Sequence, residues 1–96
     1  MSKDRAQIKS LIREIVQNHR IYFGKHCRDD SMQGRNVHSD DFLKVLNWGE
    51  IAEHHWEEAH QAYKCRIIGE DIEGDKLTLI VSVSEKEFKI RCITVF

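Results

Sequence analysis

The stretch that decides the fold is Leu77-Thr78-Leu79-Ile80-Val81-Ser82-Val83. Its apolar side chains recur at every second residue, which is the period of a β-strand that buries one face. The same period appears in two flanking runs, Tyr63-Lys64-Cys65-Arg66-Ile67 and Phe88-Lys89-Ile90-Arg91-Cys92. The three runs predict strands at about 62–70, 76–84 and 87–95. Because Gly74-Asp75 and Glu85-Lys86 suit short turns between them, we expect neighbouring strands to be antiparallel.

Alternation divides this predicted sheet into two unlike faces. One face is apolar and must lie in the core: Tyr63, Cys65, Ile67, Leu77, Leu79, Val81, Val83, Phe88, Ile90 and Cys92. The other face is mixed, with Lys64, Arg66, Thr78, Ser82, Lys89 and Arg91 beside Ile68, Ile80, Ile93 and Val95. Basic side chains that share a face can hold phosphate groups. The alternative is a set of ordinary solvated charges that pair with nearby glutamates.

Two segments upstream of the strands have the period of amphipathic helices. Residues 4–18 form one apolar stripe, with Ser2 or Asp4 suited to cap the start. The members of this stripe are Ile8, Leu11, Ile12, Ile15 and Val16. A second helix is expected from Ser39 to Gly49, with its apolar face formed by Phe42, Val45 and Leu46.

The segments between these elements are less strongly patterned. Residues 20–23 favour a strand. Residues 50–61 fit either an edge strand over 50–56 or an extension of the helix, and the strand is favoured because Gly49 breaks the helix before them. Residues 24–38 are polar and irregular, although a short helix over about 26–33, ended by Gly34, fits them. The predicted fold is α+β: an N-terminal helix, a short strand, a second helix and an antiparallel β-meander with the helices packed on one face.

Length and composition restrict the classes of protein that remain. The 96 residues suit a single domain, 1–96, and no apolar run is long enough for a membrane span. The net charge of −1 excludes a strongly basic nucleic-acid coat, yet residues 1–38 hold eight basic and four acidic side chains. The three cysteines Cys27, Cys65 and Cys92 are widely spaced and form no Cys-x-x-Cys pair. We therefore expect reduced thiols and a cytoplasmic protein.

Candidate chemistry lies first in the irregular segment, which contains His26, Arg28 and Arg35. A histidine near arginines suits phosphodiester cleavage, because imidazole moves protons near neutral pH and guanidinium groups stabilise charge that develops on the phosphate. The alternative is a hydrogen-bonding histidine with arginines that face solvent.

A second group of polar residues consists of His54, His55, Glu57, Glu58 and His60. These are potential metal ligands, but the group has no His-Glu-x-x-His motif and no cysteine partner. We expect an acidic solvated edge here and no metal site. The flanking Trp48 and Trp56 are expected at the rim of the core.

Several runs resemble a family of small uncharacterised bacterial proteins. They are Lys25-His26-Cys27-Arg28-Asp29-Asp30, Met32, Asp41-Phe42-Leu43-Lys44-Val45-Leu46, Gly49-Glu50-Ile51, Tyr63-Lys64-Cys65-Arg66 and Ile93-Thr94-Val95. Members of that family are often encoded next to zinc-finger antitoxins of the MqsA (YgiT) type and look like relatives of RelE- and MqsR-like ribonuclease toxins. The resemblance implies a compact RelE-like α+β fold and cleavage of messenger RNA without metal or cofactor.

Carried over to this sequence, the resemblance implies catalytic roles for His26, Arg28, Tyr63, Arg66 and Thr94. The candidate RNA-binding residues are Lys64, Lys89, Arg91 and Arg35. We expect a toxin-like RNA-binding protein or metal-independent ribonuclease, whose partners are RNA and a zinc-finger antitoxin and not a membrane. The alternative is a non-catalytic protein-interaction module with the same fold. A small-ligand or metal binder through His54 to His60 is a third option.

Overall fold

The computed structural model of the protein describes residues 3–25, 27, 28, 34 and 36–96. Its elements follow in the order α1 (Arg5–Gln17), β1 (Ile21–Phe23), α2 (Ser39–Trp48), β2 (Glu50–Glu57), β3 (Ala62–Glu70), β4 (Lys76–Ser84) and β5 (Lys89–Val95). The α+β class, these helices and the strands expected after residue 50 are confirmed. The short helix considered over 26–33 falls largely outside the described residues.

The five strands form one mixed sheet in the order β1-β5-β4-β3-β2. Strands β2 to β5 form an antiparallel meander. β1 pairs with the far side of β5 in parallel, so that Tyr22 lies opposite Arg91 and Phe23 opposite Cys92. Parallel pairing is feasible because α2 and three strands separate β1 from β5 along the chain.

The start of α1 is stabilised by side chains that accept hydrogen bonds from backbone N–H groups at the beginning of the helix. The Gln7 N–H donates to the Asp4 carboxylate at 2.8 Å, and the Asp4 N–H donates to the Gln7 side chain at 2.9 Å. This capping box satisfies two donors that the start of a helix leaves open. In α2, Asp40 and Asp41 occupy the first turn, where the helix dipole favours negative charge.

Both helices pack on the same face of the sheet and enclose the core. Residues of the two predicted helical stripes and of the predicted apolar sheet face lie in one buried cluster, which includes Ile8, Leu11, Ile15, Phe42, Leu46, Leu79, Val81 and Ile90. β1 contributes Phe23, whose ring packs edge-to-face against Phe42 with 4.9 Å between centroids. The apolar face predicted from alternation is therefore the helix-covered face.

A bulge in β5 changes which face its last residues occupy. Val81 pairs with Cys92 but Ile80 pairs with Thr94, which leaves Ile93 as an extra residue in β5. Because one extra residue reverses the alternation beyond it, Val95 returns to the core and is only 3% exposed. The expectation that Val95 lies on the outer face was wrong for this reason.

The expectation of three reduced thiols was also wrong. Cys27 and Cys92 form a disulfide, with 6.1 Å between their Cα atoms, a separation that suits such a bond. Cys65 is the free cysteine among the described residues, and burial raises the pKa of its thiol to about 12. The cytoplasmic location, which depends on the expectation of reduced thiols, stays a prediction. Within the described chain, neither α1 nor α2 is long and apolar enough to cross a membrane.

Candidate nucleic-acid interface

The outer face of the sheet is the face that points away from α1 and α2. Its central row crosses four strands, with Lys64 opposite Ser82, Ser82 opposite Arg91 and Arg91 opposite Tyr22. Lys64 and Arg91 lie two strands apart, so their backbones are separated by roughly 10 Å. The register thus brings two of the predicted RNA-binding residues into one row, and Lys89 lies two residues from Arg91 on the same strand.

The next row of the outer face carries an ion pair. Arg66 lies opposite Glu53 on β2 and Ile80 on β4, and Ile80 lies opposite Thr94. The Arg66 guanidinium is 2.8 Å from the Glu53 carboxylate, and the two side chains are 40% and 67% exposed. The Arg66 Nε is buried without a hydrogen-bond partner among the described residues. Water screens so exposed a pair, and its guanidinium remains within reach of a phosphate.

Tyr22 is an aromatic residue of this face that sequence reasoning missed. It is 46% exposed, and two cations lie over its ring, Arg20 at 5.9 Å and Lys89 at 5.8 Å from the centroid. An exposed ring among cations is the usual platform for a nucleic-acid base. The signal was present in the sequence, because Tyr22 is out of phase with its apolar neighbours Ile21 and Phe23. What could not be foreseen is that β1 lies beside β5.

The five predicted catalytic residues do not all share the outer face. Arg66 and Thr94 lie on it, whereas Tyr63 lies on the helix-covered side and is 5% exposed. The Tyr63 hydroxyl accepts a hydrogen bond from the Lys3 backbone N–H at 2.8 Å, and its ring packs on Trp56 with 4.9 Å between centroids. Tyr63 therefore cannot reach a ligand that Arg66 holds.

The remaining predicted residues come from the segment between β1 and α2. His26 and Arg35 lie outside the described residues. Arg28 is exposed and follows Cys27, which the disulfide fixes beneath β5 on the helix-covered side. Arg28 therefore reaches solvent close to the β1–β5 side of the sheet.

The histidines of the 54–60 group are spread over different parts of the sheet. His54 lies opposite Cys65 on the helix-covered side, and His55 lies opposite Lys64 on the outer face. His60 lies in the turn between β2 and β3. In the described part of the chain, no three histidine, cysteine, aspartate or glutamate side chains are grouped so that they could hold a metal ion.

Charges of both signs lie on the outer face, where the cations Lys64, Arg66, Lys89 and Arg91 share the surface with the carboxylates Glu50, Glu53 and Glu57 of β2. Lys89 lowers the pKa of Glu87 through a 2.8 Å ion pair. An acidic cleft of about 430 Å³ lies beside the start of α2 and the β3–β4 loop. Its acidic lining residues are Asp40, Asp41, Asp71, Glu73 and Asp75. The described surface therefore has an acidic cleft and a sheet face of mixed charge, whose cations lie on β3 and β5.

Within the acidic cleft, the Asp41 carboxylate is a buried structural group. It accepts the Ile72 N–H at 2.9 Å and the His38 N–H at 2.9 Å. These two hydrogen bonds, the Ile72 one most, lower the pKa of Asp41. Asp41 therefore ties the start of α2 to the β3–β4 loop.

The fold and this face define an α+β protein with an uncovered sheet surface that carries several basic side chains and an exposed tyrosine. Residues 23–96 match a family model described as "Domain of unknown function (DUF4258)". The chain therefore belongs to the DUF4258 family, and the matched part includes α2, the meander and both cysteines of the disulfide. No curated protein and no solved structure matches the chain significantly.

Proposed function

We propose that the protein is a toxin-like RNA-binding protein of a bacterial toxin–antitoxin pair, and that its outer face holds single-stranded RNA. The observation that carries this proposal is the row of Lys64, Ser82, Arg91 and Tyr22 across a sheet face that neither α1 nor α2 covers. The cations suit phosphates and the ring suits a base. Sequence-specific proteins read unpaired bases in this manner, because those bases are free to stack.

The finer proposal is cleavage of the bound strand without metal. In this reaction the 2′-oxygen of a ribose attacks the neighbouring phosphorus, a P–O bond to the 5′-oxygen breaks, and a 2′,3′-cyclic phosphate forms. A general base takes the 2′-hydroxyl proton, and a general acid returns one to the 5′-oxygen. His26 is the proposed proton carrier and Arg28 stabilises the phosphate charge, while Arg66, on β3, holds another phosphate of the strand. Tyr22 takes the stacking role first assigned to Tyr63.

RNA binding is tested by fluorescence anisotropy with a labelled oligouridine at several salt concentrations. Each phosphate contact contributes about −0.7 to the slope of log affinity against log salt, so a slope of roughly −2 to −3 is expected. Arg91→Ala should make the slope less negative by the contribution of about one phosphate contact. Arg5→Ala, which removes an equal charge from an exposed position of α1, should leave the slope unchanged. EDTA should have no effect. Absence of binding at low salt would reject the proposal.

The role of Tyr22 is tested in the same assay by two variants. Tyr22→Ala should weaken binding by about 1–3 kcal/mol, and Tyr22→Phe should retain most of the affinity because stacking needs only the ring. Equal weakening by the two variants would show that the hydroxyl matters and not the stacking surface.

Cleavage is tested by inducing the protein in a bacterial host. Wild type should arrest growth and degrade messenger RNA, and His26→Ala should do neither. The matched control is His19→Asn, at an exposed position with φ of 58°, a conformation that asparagine tolerates. Arrest by His26→Ala would remove His26 from the proposed mechanism.

A second candidate is a protein-interaction module, which the exposed Trp48 favours. Trp48 is 76% exposed, so the expectation that it lies at the rim of the core was wrong. The Arg13 guanidinium lies over its ring at 5.6 Å, and such aromatic–arginine pairs are typical anchors of interfaces. The proposed partner is a zinc-finger antitoxin. Co-expression with the product of the neighbouring gene, followed by pull-down with wild type and Trp48→Ala, tests this candidate.

A further inference from the structure

A small notch is cut into one end of the outer face, between the β2–β3 turn and the β4–β5 turn. It has a volume of about 80 Å³, compared with about 30 Å³ for a water molecule in the liquid. The notch therefore accepts one small ion and is too small for a base. Its floor is formed by Ala62, Ser82 and Ser84, which are at most 8% exposed. His60, Glu87, Lys89 and Arg91 stand around its rim.

The floor of the notch offers hydroxyl groups that can donate hydrogen bonds. The Ser84 hydroxyl oxygen accepts the Glu87 N–H at 3.1 Å, which leaves the hydroxyl proton available. Ser82 lines the same floor and contributes a second hydroxyl group. A small anion that entered the notch would meet two hydroxyl donors below and the Lys89 and Arg91 cations above.

We propose that this notch binds the terminal phosphate monoester of an RNA strand lying on the outer face, an inference that rests on the proposed function. The notch lies in the last row of the face, where Ser84 is opposite Lys89 and the two turns follow. The notch shares Ser82 and Arg91 with the row from Lys64 to Tyr22, and no further sheet row follows it towards the turns, so the end of a strand held on that row can turn into the notch. A doubly charged phosphate group suits two cations and two hydroxyl donors better than an internal, singly charged phosphate does.

Glu87 repels an anion in the notch, so removal of its charge should strengthen phosphate binding, whereas loss of a serine hydroxyl should weaken it. Its carboxylate is 2.8 Å from Lys89 Nζ, and this bond lowers the pKa of Glu87 and keeps the group ionised. An anion in the notch must share Lys89 with Glu87 and is repelled by it. Glu87→Gln should therefore strengthen the binding of a strand with a terminal phosphate more than that of the hydroxyl-ended strand, which gains only from the freed Lys89.

The experiment compares three oligouridines of equal length, ending in a 5′-phosphate, in a 3′-phosphate or in hydroxyls at both ends. Wild type should bind one of the two phosphorylated strands about three- to tenfold more tightly than the hydroxyl-ended strand. The phosphorylated strand that is preferred identifies which end occupies the notch. Ser82→Val, which removes a hydroxyl and narrows the notch, should abolish the preference. Thr78→Val on the same strand and face, outside the notch, should retain it. Thermal unfolding by circular dichroism checks that each variant is folded.

The outcomes separate this inference from the proposed function. Equal affinity of wild type for all three strands would overturn the terminal-phosphate site and leave RNA binding in place. A preference that persists in Ser82→Val would also overturn it. Failure of wild type to bind any strand at low salt would reject the RNA-binding proposal itself, and the phosphate site with it.

Discussion

The two faces of one sheet are built from alternate residues of the same strands, yet they differ in nearly every property. On β4, Leu77, Leu79, Val81 and Val83 are completely buried under the helices. Their neighbours Thr78, Ser82 and Ser84 are small polar residues whose hydroxyls point to the opposite side. Because the helix-covered face buries apolar side chains, it supplies most of the stability. The outer face can then carry charges at little cost to the fold.

The largest expected difference between the faces concerns neighbouring residues of β4. Leu79→Ala should lower the free energy of unfolding by about 2–5 kcal/mol, because it leaves a cavity in a closely packed core. Ile80→Ala on the outer face, where the side chain is half-buried, should cost at most about 1.5 kcal/mol. Urea denaturation of both variants measures the two values. Equal costs would mean that the faces do not divide stability in this way.

The disulfide should be the next largest contribution, since it joins the polar segment after β1 to the covered face. Its sequence separation of 65 residues predicts a loss of about 2–4 kcal/mol in Cys27→Ser with Cys92→Ser, through the greater entropy of the unfolded chain. The unfolded wild type should show one reactive thiol without reductant. Three reactive thiols, or stability that dithiothreitol does not change, would contradict the bond.

Asp41 should have a smaller and pH-dependent effect. Its pKa is lowered below the ordinary value of 3.8 by the Ile72 and His38 N–H groups, with further help from the charges of His38 and Lys44. A lowered pKa stabilises the fold above the ordinary value, and that stability is lost as the pH falls through the folded value. Asp41→Asn should cost about 1–3 kcal/mol at neutral pH. The difference from wild type should shrink in acid, and a constant difference would exclude this linkage.

The smallest expected effect on stability belongs to the outer face. Glu53→Gln breaks the exposed pair with Arg66 and should change the free energy of unfolding by less than about 1 kcal/mol. The same variant should bind RNA more tightly, because Arg66 gains freedom to contact phosphate. Glu73→Gln, an equal charge change at an exposed residue of the acidic cleft, serves as a control and should leave RNA affinity nearly unchanged. Lower RNA affinity in Glu53→Gln would argue that Glu53 positions Arg66 and does not compete for it.

Periodicity predicted most of the fold, because burial itself imposes the periods of helix and strand. It could not predict the pairing of β1 with β5, since three residues carry too little pattern to choose a partner. Nor could it place the bulge at Ile93, because the run from Lys89 to Val95 alternates equally well without one. The separation of Cys27 from Cys92 in the sequence likewise gave no indication that the fold brings them together.

The candidate site was predictable to a similar degree. The basic residues of β3 and β5 were expected on one face because their spacing is even. Tyr22 was overlooked and His60 was considered only as a potential metal ligand, since each joins that face only through the arrangement of neighbouring strands or turns. Tyr63 was assigned beside Arg66 by resemblance, although an odd separation of three residues along a regular strand places them on opposite faces.

The parallel pairing of β1 with β5 has a mechanical consequence. Tension applied between the two ends of the chain enters at the start of β1 and leaves at the end of β5, so it pulls parallel neighbours in opposite directions. Their hydrogen bonds, together with the one from Ile90 N–H to Arg20 O, are then loaded in shear and resist together. If they yield, the bond between Cys27 and Cys92 carries the load. The residues enclosed by that bond, about two thirds of the chain, lengthen under force only after it is reduced.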